Sequence, residues 1–173
     1  MEYVARIASP VGELTLASDG EALTGLWIAG QKYHSAGLGA DALEAELPVF
    51  AAAADWLGRY FAGERPEPSE LPLSPRGSEF RRSVWRLLEK IPSGQLTTYG
   101  EIARALGAGA RAVGGAVGHN PISIIIPCHR VVGAGGAPTG YAAGLDIKLK
   151  LLALEGVEPE RSPQGSGRVL FRV

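Results

Sequence analysis

The residues best suited to chemistry in this chain are four neighbours, Pro127, Cys128, His129 and Arg130. Cys128 is the only cysteine among 173 residues, so it cannot form a disulfide within the chain. A single cysteine also cannot build a cysteine-rich zinc site. Two interpretations remain: an inert buried thiol, or a nucleophile whose proton is taken by the adjacent imidazole.

The residues before the cysteine indicate how the thiol is presented. The isoleucines at 124–126 form a short β-branched apolar run, which predicts a buried strand or an extended core segment. Pro127 lacks a backbone donor and restricts φ, so regular structure is predicted to stop just before the thiol. In a straight strand Cys128 and His129 would point to opposite faces, whereas a bend at the proline can bring both into one cleft.

Residues 126–132 (Ile-Pro-Cys-His-Arg-Val-Val) resemble the active-site signature of the O6-alkylguanine-DNA alkyltransferases, also called methylated-DNA–protein-cysteine methyltransferases. Further motifs match that family in order and spacing: 80–85 (Phe-Arg-Arg-Ser-Val-Trp), 91–94 (Ile-Pro-Ser-Gly), 98–103 (Thr-Tyr-Gly-Glu-Ile-Ala), 111–116 (Arg-Ala-Val-Gly-Gly-Ala), 139–142 (Thr-Gly-Tyr-Ala) and 151–156 (Leu-Leu-Ala-Leu-Glu-Gly). A Pro-Cys-His triplet alone is weak evidence. The specificity comes from the ordered set, which spans about residues 78–157.

The resemblance implies roles for four catalytic residues. Cys128 accepts the alkyl group, and His129 takes the thiol proton through a water molecule. Glu155 orients the imidazole and balances its charge, and Asn120 fixes the turn that joins the recognition segment to the cysteine loop. From the residues alone, Glu155 could instead be a solvated carboxylate at a helix end, and Asn120 could belong to an ordinary Asn-Pro turn.

The resemblance also implies a pocket for an alkylated guanine that has been flipped out of the duplex. Tyr99 donates a hydrogen bond to the flipped base and helps to rotate its phosphate. Tyr141 and the backbone near Val131 line the pocket, which the glycine-rich loop 133–144 shapes. Some members have a serine after this tyrosine, but this chain has Ala142, so any contact there is limited to the backbone. Tyr99 could otherwise simply pack at a helix start.

A glycine-rich helix predicted at residues 110–118 is the candidate DNA-contacting element. Gly114 and Gly115 lie in its middle, where each costs about 1 kcal/mol relative to alanine. Either helices pack closely there or, as the resemblance implies, the helix lies deep in the DNA minor groove. Arg111 would enter the base stack in place of the extruded base, or make an ordinary phosphate contact or surface ion pair. The predicted DNA-binding set is completed by Thr98 and Arg130.

The product of this chemistry is a thioether on Cys128, and no sequence feature offers a route to cleave it. The resemblance therefore implies a single-turnover protein that needs no cofactor, because the lesion is itself the alkyl donor. O4-alkylthymine is a possible further substrate. We predict no metal site, because the chain lacks the additional cysteines that such a site would use, and His34 reads as a solvated loop residue.

Three other functions compete with this interpretation. A non-catalytic cousin family binds alkylated DNA with tryptophan at the cysteine position, which Cys128 argues against. A helix-turn-helix regulator would usually carry a more polar recognition helix than residues 110–118 and a dimerisation element. A cysteine hydrolase would turn over small esters or amides and would not require DNA.

The resemblance implies a mixed α/β (α+β) fold, with a small RNase H-like antiparallel sheet domain followed by a helical, helix-turn-helix or winged-helix-like domain that carries the cysteine. We divide the chain into a supporting domain at 1–62, a proline-rich linker at 63–77, a DNA-binding and alkyl-transfer domain at 78–157 and a tail at 158–173. The segment 161–167 reads as flexible, and 169–171 could dock on the protein.

Hydrophobic periodicity and turn signals predict the elements of the first domain. Alternating residues predict strands at 3–7, 14–18 and 23–28, followed by a loop at 30–39. Pro48 opens a helix that continues to Phe61. Its predicted buried stripe is Phe50, Ala54, Leu57 and Phe61. No residue of this part carries recognisable chemistry.

Capping signals predict the helices of the second domain. Ser78 is predicted to cap a helix whose apolar positions continue to Ile91. Thr98 and Glu101 form a capping-box pattern that opens a short helix ending at Leu106. A glycine-rich turn and the helix at 110–118 follow, which is a helix-turn-helix pattern.

Composition and charge fit a DNA-binding globular protein. The apolar fraction of 46% and the charged fraction of 20% are ordinary for a soluble domain. The net charge of −1 divides unevenly: residues 1–77 hold 5 Lys/Arg against 11 Asp/Glu, and residues 78–157 hold 9 against 5. The motif-bearing part is therefore the basic one, as expected for a module that contacts DNA, although ordinary variation between domains could give the same difference. We predict a monomer in the reducing cytoplasm, with no membrane segment or secretory signal.

Overall fold

Four strands form the N-terminal sheet in the computed structural model, which describes residues 1–161 and 169–171. They are β1 Tyr3–Ile7, β2 Leu14–Ser18, β3 Leu23–Ile28 and β4 Leu43–Glu44. The order is β3-β2-β1-β4, with the first three strands antiparallel and β4 parallel to β1. The three longer strands confirm the prediction. The sequence did not indicate β4, because its two exposed residues carry no alternation.

The sheet is joined to the rest of the protein along the outer edge of β3. The linker runs beside this strand, with Leu23 N donating to Pro72 O at 2.8 Å. Further along the same edge, Leu26 N donates to Pro121 O at 2.8 Å, and Ser123 N donates to Leu26 O at 2.9 Å. Two segments from outside the sheet therefore occupy the edge, and every residue of β3 is buried.

The helix α1, Pro48–Phe61, packs on the sheet and begins at the predicted proline. Its buried face is rotated relative to the prediction. Phe50 and Leu57 are buried, but Ala54 and Phe61 are only half-buried. Trp56 and Tyr60 are buried instead, together with Val49 and Ala53. The predicted stripe followed spacing among aliphatic and phenylalanine positions and left out two large aromatic residues with polar groups.

Three helices begin the second half of the molecule: α2 Glu79–Leu88, α3 Tyr99–Leu106 and α4 Ala110–Gly118. Ser78 Oγ accepts a hydrogen bond from Arg81 N at 3.2 Å, which confirms the predicted cap of α2. Ile91 lies beyond the end of α2, in the turn that follows. Thr98 Oγ1 caps α3 by accepting from Glu101 N at 3.1 Å. The carboxylate of Glu101 accepts from Thr97 Oγ1, so only half of the predicted capping box forms.

Short strands and a last helix complete the second half. These elements are β5 Thr97–Thr98, β6 Val131–Val132, α5 Leu145–Leu154, β7 Glu160–Arg161 and β8 Val169–Leu170. β5 pairs in parallel with β6, which places the start of α3 beside the segment that follows Cys128. β7 pairs with β8, and Phe171 is buried against Val132 and Leu152. Most of the segment predicted to be flexible, residues 162–167, lies outside the described residues.

The three isoleucines at 124–126 do not form the predicted strand. Residues 123–125 form a buried turn, and Ile124 has a φ of 71°. A β-branched residue rarely adopts this left-handed conformation, so the surrounding packing must hold it in place. All three isoleucines are nevertheless buried in the main core, so their predicted burial is confirmed and their predicted extended conformation is not.

Candidate active site

Cys128 opens a 3₁₀ turn, Cys128–Arg130, directly after Pro127. The proline ends the preceding segment, as predicted, and Cys128 N donates to Ile126 O at 2.8 Å. The cysteine is 5% exposed, and its sulfur is a free thiol. The tight turn turns the two following side chains, His129 and Arg130, into the protein.

The carboxylate of Glu155 receives hydrogen bonds from three side chains. His129 Nε2 lies 2.5 Å from Glu155 Oε2, and the Tyr60 hydroxyl donates to that same oxygen at 2.6 Å. Arg130 Nε donates to the other oxygen, Oε1, at 2.6 Å. Glu155 follows α5, the histidine and arginine come from the cysteine turn, and Tyr60 comes from α1. We call these four residues the carboxylate cluster.

The carboxylate cluster fixes the protonation of His129. Burial raises the pKa of Glu155, but the hydrogen bonds from His129 and Arg130, together with the charge of Arg130, act in the opposite direction, and the pKa is about 2. Burial lowers the pKa of His129, and the attraction of Glu155 only partly offsets this. A neutral imidazole beside an ionised carboxylate keeps its proton on Nε2. The lone pair therefore lies on Nδ1, a buried atom with no protein partner among the described residues, and is free to accept a proton.

The thiol of Cys128 is buried, and one cation, Lys148, lies nearby. Burial raises the thiol pKa, whereas the Asn120 amide and the charge of Lys148 act in the opposite direction. Asn120 Nδ2 donates to Ile126 O at 2.8 Å, and its Oδ1 accepts from Ile122 N at 3.0 Å. This amide therefore ties the end of α4 to the cysteine turn. Because the thiol pKa is raised, the sulfur needs a base before it can attack.

Lys148 is fully buried on α5 and was not predicted from the sequence. Its Nζ donates to Val131 O at 2.5 Å and to Thr139 O at 3.0 Å. Burial lowers the pKa of Lys148 to about 8. The signal was present in the helix, since Lys148 shares a face with the buried Leu151 and Leu152 three and four residues later. A lysine on an apolar stripe indicates a buried amine that requires partners.

Two tyrosines stand beside the thiol. The Tyr99 hydroxyl donates to Thr139 O at 3.1 Å, and burial raises its pKa to about 12, with a contribution from the nearby Cys128. Burial raises the pKa of Tyr141 well above its ordinary value, again with a contribution from Cys128. The Tyr141 hydroxyl is a buried atom with no hydrogen-bond partner among the described residues. Both phenols remain protonated at neutral pH and can donate hydrogen bonds.

The exposed side of α4 is open. A Cβ added at Gly114 or at Gly115 would meet no atom within 4 Å, so close packing between helices does not explain these glycines. Arg111 lies one turn before Gly115 on the same side, is exposed, and makes no ion pair among the described residues. We call the surface formed by Arg111, Gly114, Gly115 and Gly118 the open face of α4.

The described residues contain no group of three or more His, Cys, Asp or Glu side chains that could hold a metal ion. His34 is exposed, and its Nδ1 lies 2.8 Å from Ser35 Oγ. Within the same residues, no helix is both long enough and apolar enough to cross a bilayer.

Two family models match nearly all of the chain. Residues 3–75 match the ribonuclease-like domain of 6-O-methylguanine DNA methyltransferase, and residues 79–157 match its DNA-binding domain. The chain belongs to the 6-O-methylguanine DNA methyltransferase family.

Individual members of this family match over most of their length. A methylated-DNA–protein-cysteine methyltransferase of Mycolicibacterium paratuberculosis is 52% identical over 152 residues, covering 86% of this chain and 89% of that protein. The Methanosarcina acetivorans protein of the same name is 46% identical, with 89% and 98% covered. The crystal structure of Mycobacterium tuberculosis OGT in complex with DNA superposes with a TM-score of 0.79 at 45% identity, covering 88% of this chain and 92% of that one.

The structure separates the predicted site residues of this methyltransferase into two groups. Cys128, Asn120, Tyr99 and Tyr141 share one neighbourhood with Val131, and His129 and Glu155 adjoin it. Arg111, Gly114 and Gly115 lie on the open face of α4, and Thr98 serves as the cap of α3.

Arg130 differs from the prediction. It was grouped with the DNA-binding residues, but it is 6% exposed and faces inward, where Nη1 donates to Ile91 O at 2.6 Å. Its guanidinium is the counter-charge of Glu155. Tyr60 was missed because no local pattern marks it: it is one aromatic residue on an amphipathic helix, and its partner is 95 positions away.

Proposed function

We propose that the chain repairs DNA by direct reversal, with Cys128 as the acceptor of the alkyl group from O6-alkylguanine. Family membership supplies the reaction class. The observation that carries the assignment of the acceptor is the single cysteine, held in the same neighbourhood as Tyr99 and Tyr141 and directly before a neutral histidine with a free Nδ1. The same chemistry would extend to O4-alkylthymine wherever that base fits the pocket.

The proposed reaction is one displacement at the alkyl carbon. The thiol proton of Cys128 passes to Nδ1 of His129 through a bridging water, and Glu155 stabilises the resulting imidazolium. Sulfur then forms a bond to the alkyl carbon while the bond from that carbon to O6 breaks, leaving the guanine with the electron pair. The Tyr99 hydroxyl exchanges its hydrogen bond to Thr139 O for one to the departing base. The thioether has no route to hydrolysis, so each molecule reacts once.

DNA binding is assigned to the second half of the chain. The open face of α4 enters the minor groove, where the absence of side chains at Gly114 and Gly115 lets the backbone approach the duplex. Arg111 fills the space left by the flipped nucleotide. We assign residues 78–157 to DNA binding and transfer, 1–62 to support, 63–77 to the linker and 158–173 to the tail. A cytoplasmic monomer without a cofactor belongs to the same proposal.

Intact-protein mass spectrometry tests the reaction directly. The protein is incubated with a duplex containing one O6-methylguanine, and a matched sample carries Cys128→Ala. We expect a stoichiometric gain of one methyl group in the wild type and no gain in the variant, with both binding the lesion duplex. Retained binding without any gain of mass in the wild type would identify a damage-recognition protein instead.

Product release offers a second readout in the same experiment. Digestion of the duplex to nucleosides should show O6-methylguanine replaced by guanine in an amount equal to the methylated protein. Continued conversion beyond one equivalent would contradict a single-turnover reaction and would indicate a route that regenerates the cysteine.

A further inference from the structure

One oxygen of Glu155 is shared by two donors from different parts of the molecule. His129 Nε2 lies 2.5 Å from Oε2, and the Tyr60 hydroxyl donates to the same atom at 2.6 Å. Arg130 occupies only the other oxygen. The Glu155 side chain is 2% exposed and that of His129 is 0% exposed. The two donors therefore share this oxygen without solvent that could hydrogen-bond to it in place of either one.

The Tyr60 phenol is fixed in this position. Its ring stacks on Trp56 with centroids 5.7 Å apart and planes 10° apart, and the edge of Phe61 meets it at 5.2 Å and 81°. Trp56 is held in turn by a hydrogen bond from its Nε1 to Glu67 O at 2.8 Å. Burial, reinforced by the negative charge of Glu155, raises the pKa of Tyr60, so the hydroxyl acts only as a donor. It cannot rotate away without disturbing the packing of α1.

We propose that Tyr60, which lies outside the DNA-binding domain, is a positioning residue for alkyl transfer that fixes the Glu155 carboxylate and takes part of the charge of the oxygen facing His129. The inference rests on the proposed function of His129 as the base. A carboxylate oxygen that accepts two hydrogen bonds is a weaker acceptor for each of them. The Glu155 carboxylate therefore accepts strongly enough from His129 to orient the ring, but it does not stabilise the imidazolium so strongly that the histidine stays protonated.

The direction of the effect follows from the charges around His129. These are Glu155 after α5, Arg130 of the cysteine turn and Lys148 on α5, with the phenols of Tyr60 and Tyr141 and the thiol of Cys128 nearby. Of these groups, only Glu155 favours the imidazolium. Removing the Tyr60 hydroxyl leaves Oε2 to the histidine alone, so the negative charge acts more strongly on the ring and its pKa rises.

NMR of the histidine side chains tests this without any DNA. The chain has three histidines, so a protein labelled with ¹⁵N-histidine gives three ring titrations, and a His129→Gln sample assigns the relevant one. Tyr60→Phe should raise the midpoint of His129 by about 0.5–1 pH unit, the size expected for the loss of one buried hydrogen bond. Tyr3→Phe is the matched control, because its hydroxyl contacts only Met1 among the described residues.

The rate of single-turnover methyl transfer provides the second measurement. In Tyr60→Phe the acidic limb of the pH–rate profile should move to higher pH by the same amount, because His129 is then protonated, and unavailable as a base, over a wider range. Circular dichroism at each pH verifies that the variant remains folded. A midpoint within about 0.2 pH unit of the wild type, or below it, overturns the proposal even if the rate falls.

The two proposals fail in distinguishable ways. If the wild type gains no methyl group, the proposed alkyl transfer is wrong. The histidine titration still reports whether Tyr60 changes the pKa of His129. If the wild type reacts and the titration does not move, Tyr60 has only a packing role. A lower melting temperature without a shift of the titration or of the acidic limb would show the same.

Discussion

The carboxylate cluster and the open face of α4 belong to one proposed function but are built in opposite ways. In the cluster, every side chain is buried, and Glu155 accepts hydrogen bonds from three side chains that come from two separate elements. On the open face, Arg111 is exposed and makes no ion pair within the described part of the chain, and the glycines leave empty space. In the proposed function, the groups for proton transfer are therefore assembled in advance, whereas the surface for DNA is completed by the duplex.

The largest effect is expected from removing the charge at the centre of the cluster. Glu155→Gln keeps the side-chain shape but leaves Arg130 as a buried cation without a counter-charge, which should cost about 3–5 kcal/mol of unfolding free energy. The single-turnover rate should fall by at least about a hundredfold, because the imidazolium of His129 loses its stabilising partner. Urea unfolding and rapid-quench methyl transfer measure the two quantities.

The matched control for this variant is Glu101→Gln, an exposed carboxylate bonded to Thr97, which should change unfolding by less than about 0.5 kcal/mol. The pH dependence gives a further check. The pKa of Glu155 in the folded protein is about 2, below its ordinary 4.5. The ionised carboxylate therefore contributes its full share of the unfolding free energy above about pH 5, and this share is lost as the pH falls toward 2. The unfolding free energy of the wild type should fall by on the order of 3 kcal/mol over this pH range. An equally steep acid transition in Glu155→Gln would show that the cluster is not the source.

A smaller effect, confined to binding, is expected from the open face. Arg111→Ala should weaken binding to a lesion duplex by about tenfold and reduce the slope of log K against log salt by about 1. Unfolding should be unchanged, because the guanidinium makes no ion pair among the described residues. Fluorescence anisotropy at several salt concentrations measures both quantities. Lys150→Ala removes an exposed charge from α5 instead and should leave repair of the lesion unaffected.

The smallest expected effect comes from Gly115→Ala, which should raise the stability of the fold while it lowers the affinity for DNA. Gly115→Ala places a methyl group in open space within a helix, so it should stabilise the protein by about 0.5–1 kcal/mol. The same methyl group should weaken binding to DNA several-fold by holding the duplex away from the backbone. Gly58→Ala on α1 is the control, because that glycine is also helical, exposed and free of contacts. If the two variants bind DNA equally well, the open face is not the contact surface.

Local signals in the sequence predicted much of the framework. The caps at Ser78 and Thr98 and the proline at the start of α1 are short-range features, and they mark the helix starts within a residue. The isoleucines at 124–126 show the limit of this reasoning. Their burial was predictable, but a β-branched apolar run has the same appearance in a strand and in a buried turn.

The candidate site was predictable where motifs carry it and not where tertiary contacts do. Cys128 and His129 are adjacent, and their motif is specific. Tyr60, Lys148 and the inward orientation of Arg130 depend on partners that are distant in the sequence or on the direction taken by a turn. No periodicity encodes which buried phenol meets which carboxylate, so these contacts required the structure.

The burial of Cys128 also affects how long an unreacted molecule keeps a thiol that can accept an alkyl group. A protein that reacts once and is not regenerated loses its whole capacity to any stray oxidant or electrophile that reaches the sulfur. With 5% exposure and a raised pKa, the thiol is mostly protonated and shielded at neutral pH. Oxidants and electrophiles in solution should therefore react with it slowly. The burial that makes the cysteine dependent on a base is thus also what preserves it for the one reaction proposed for it.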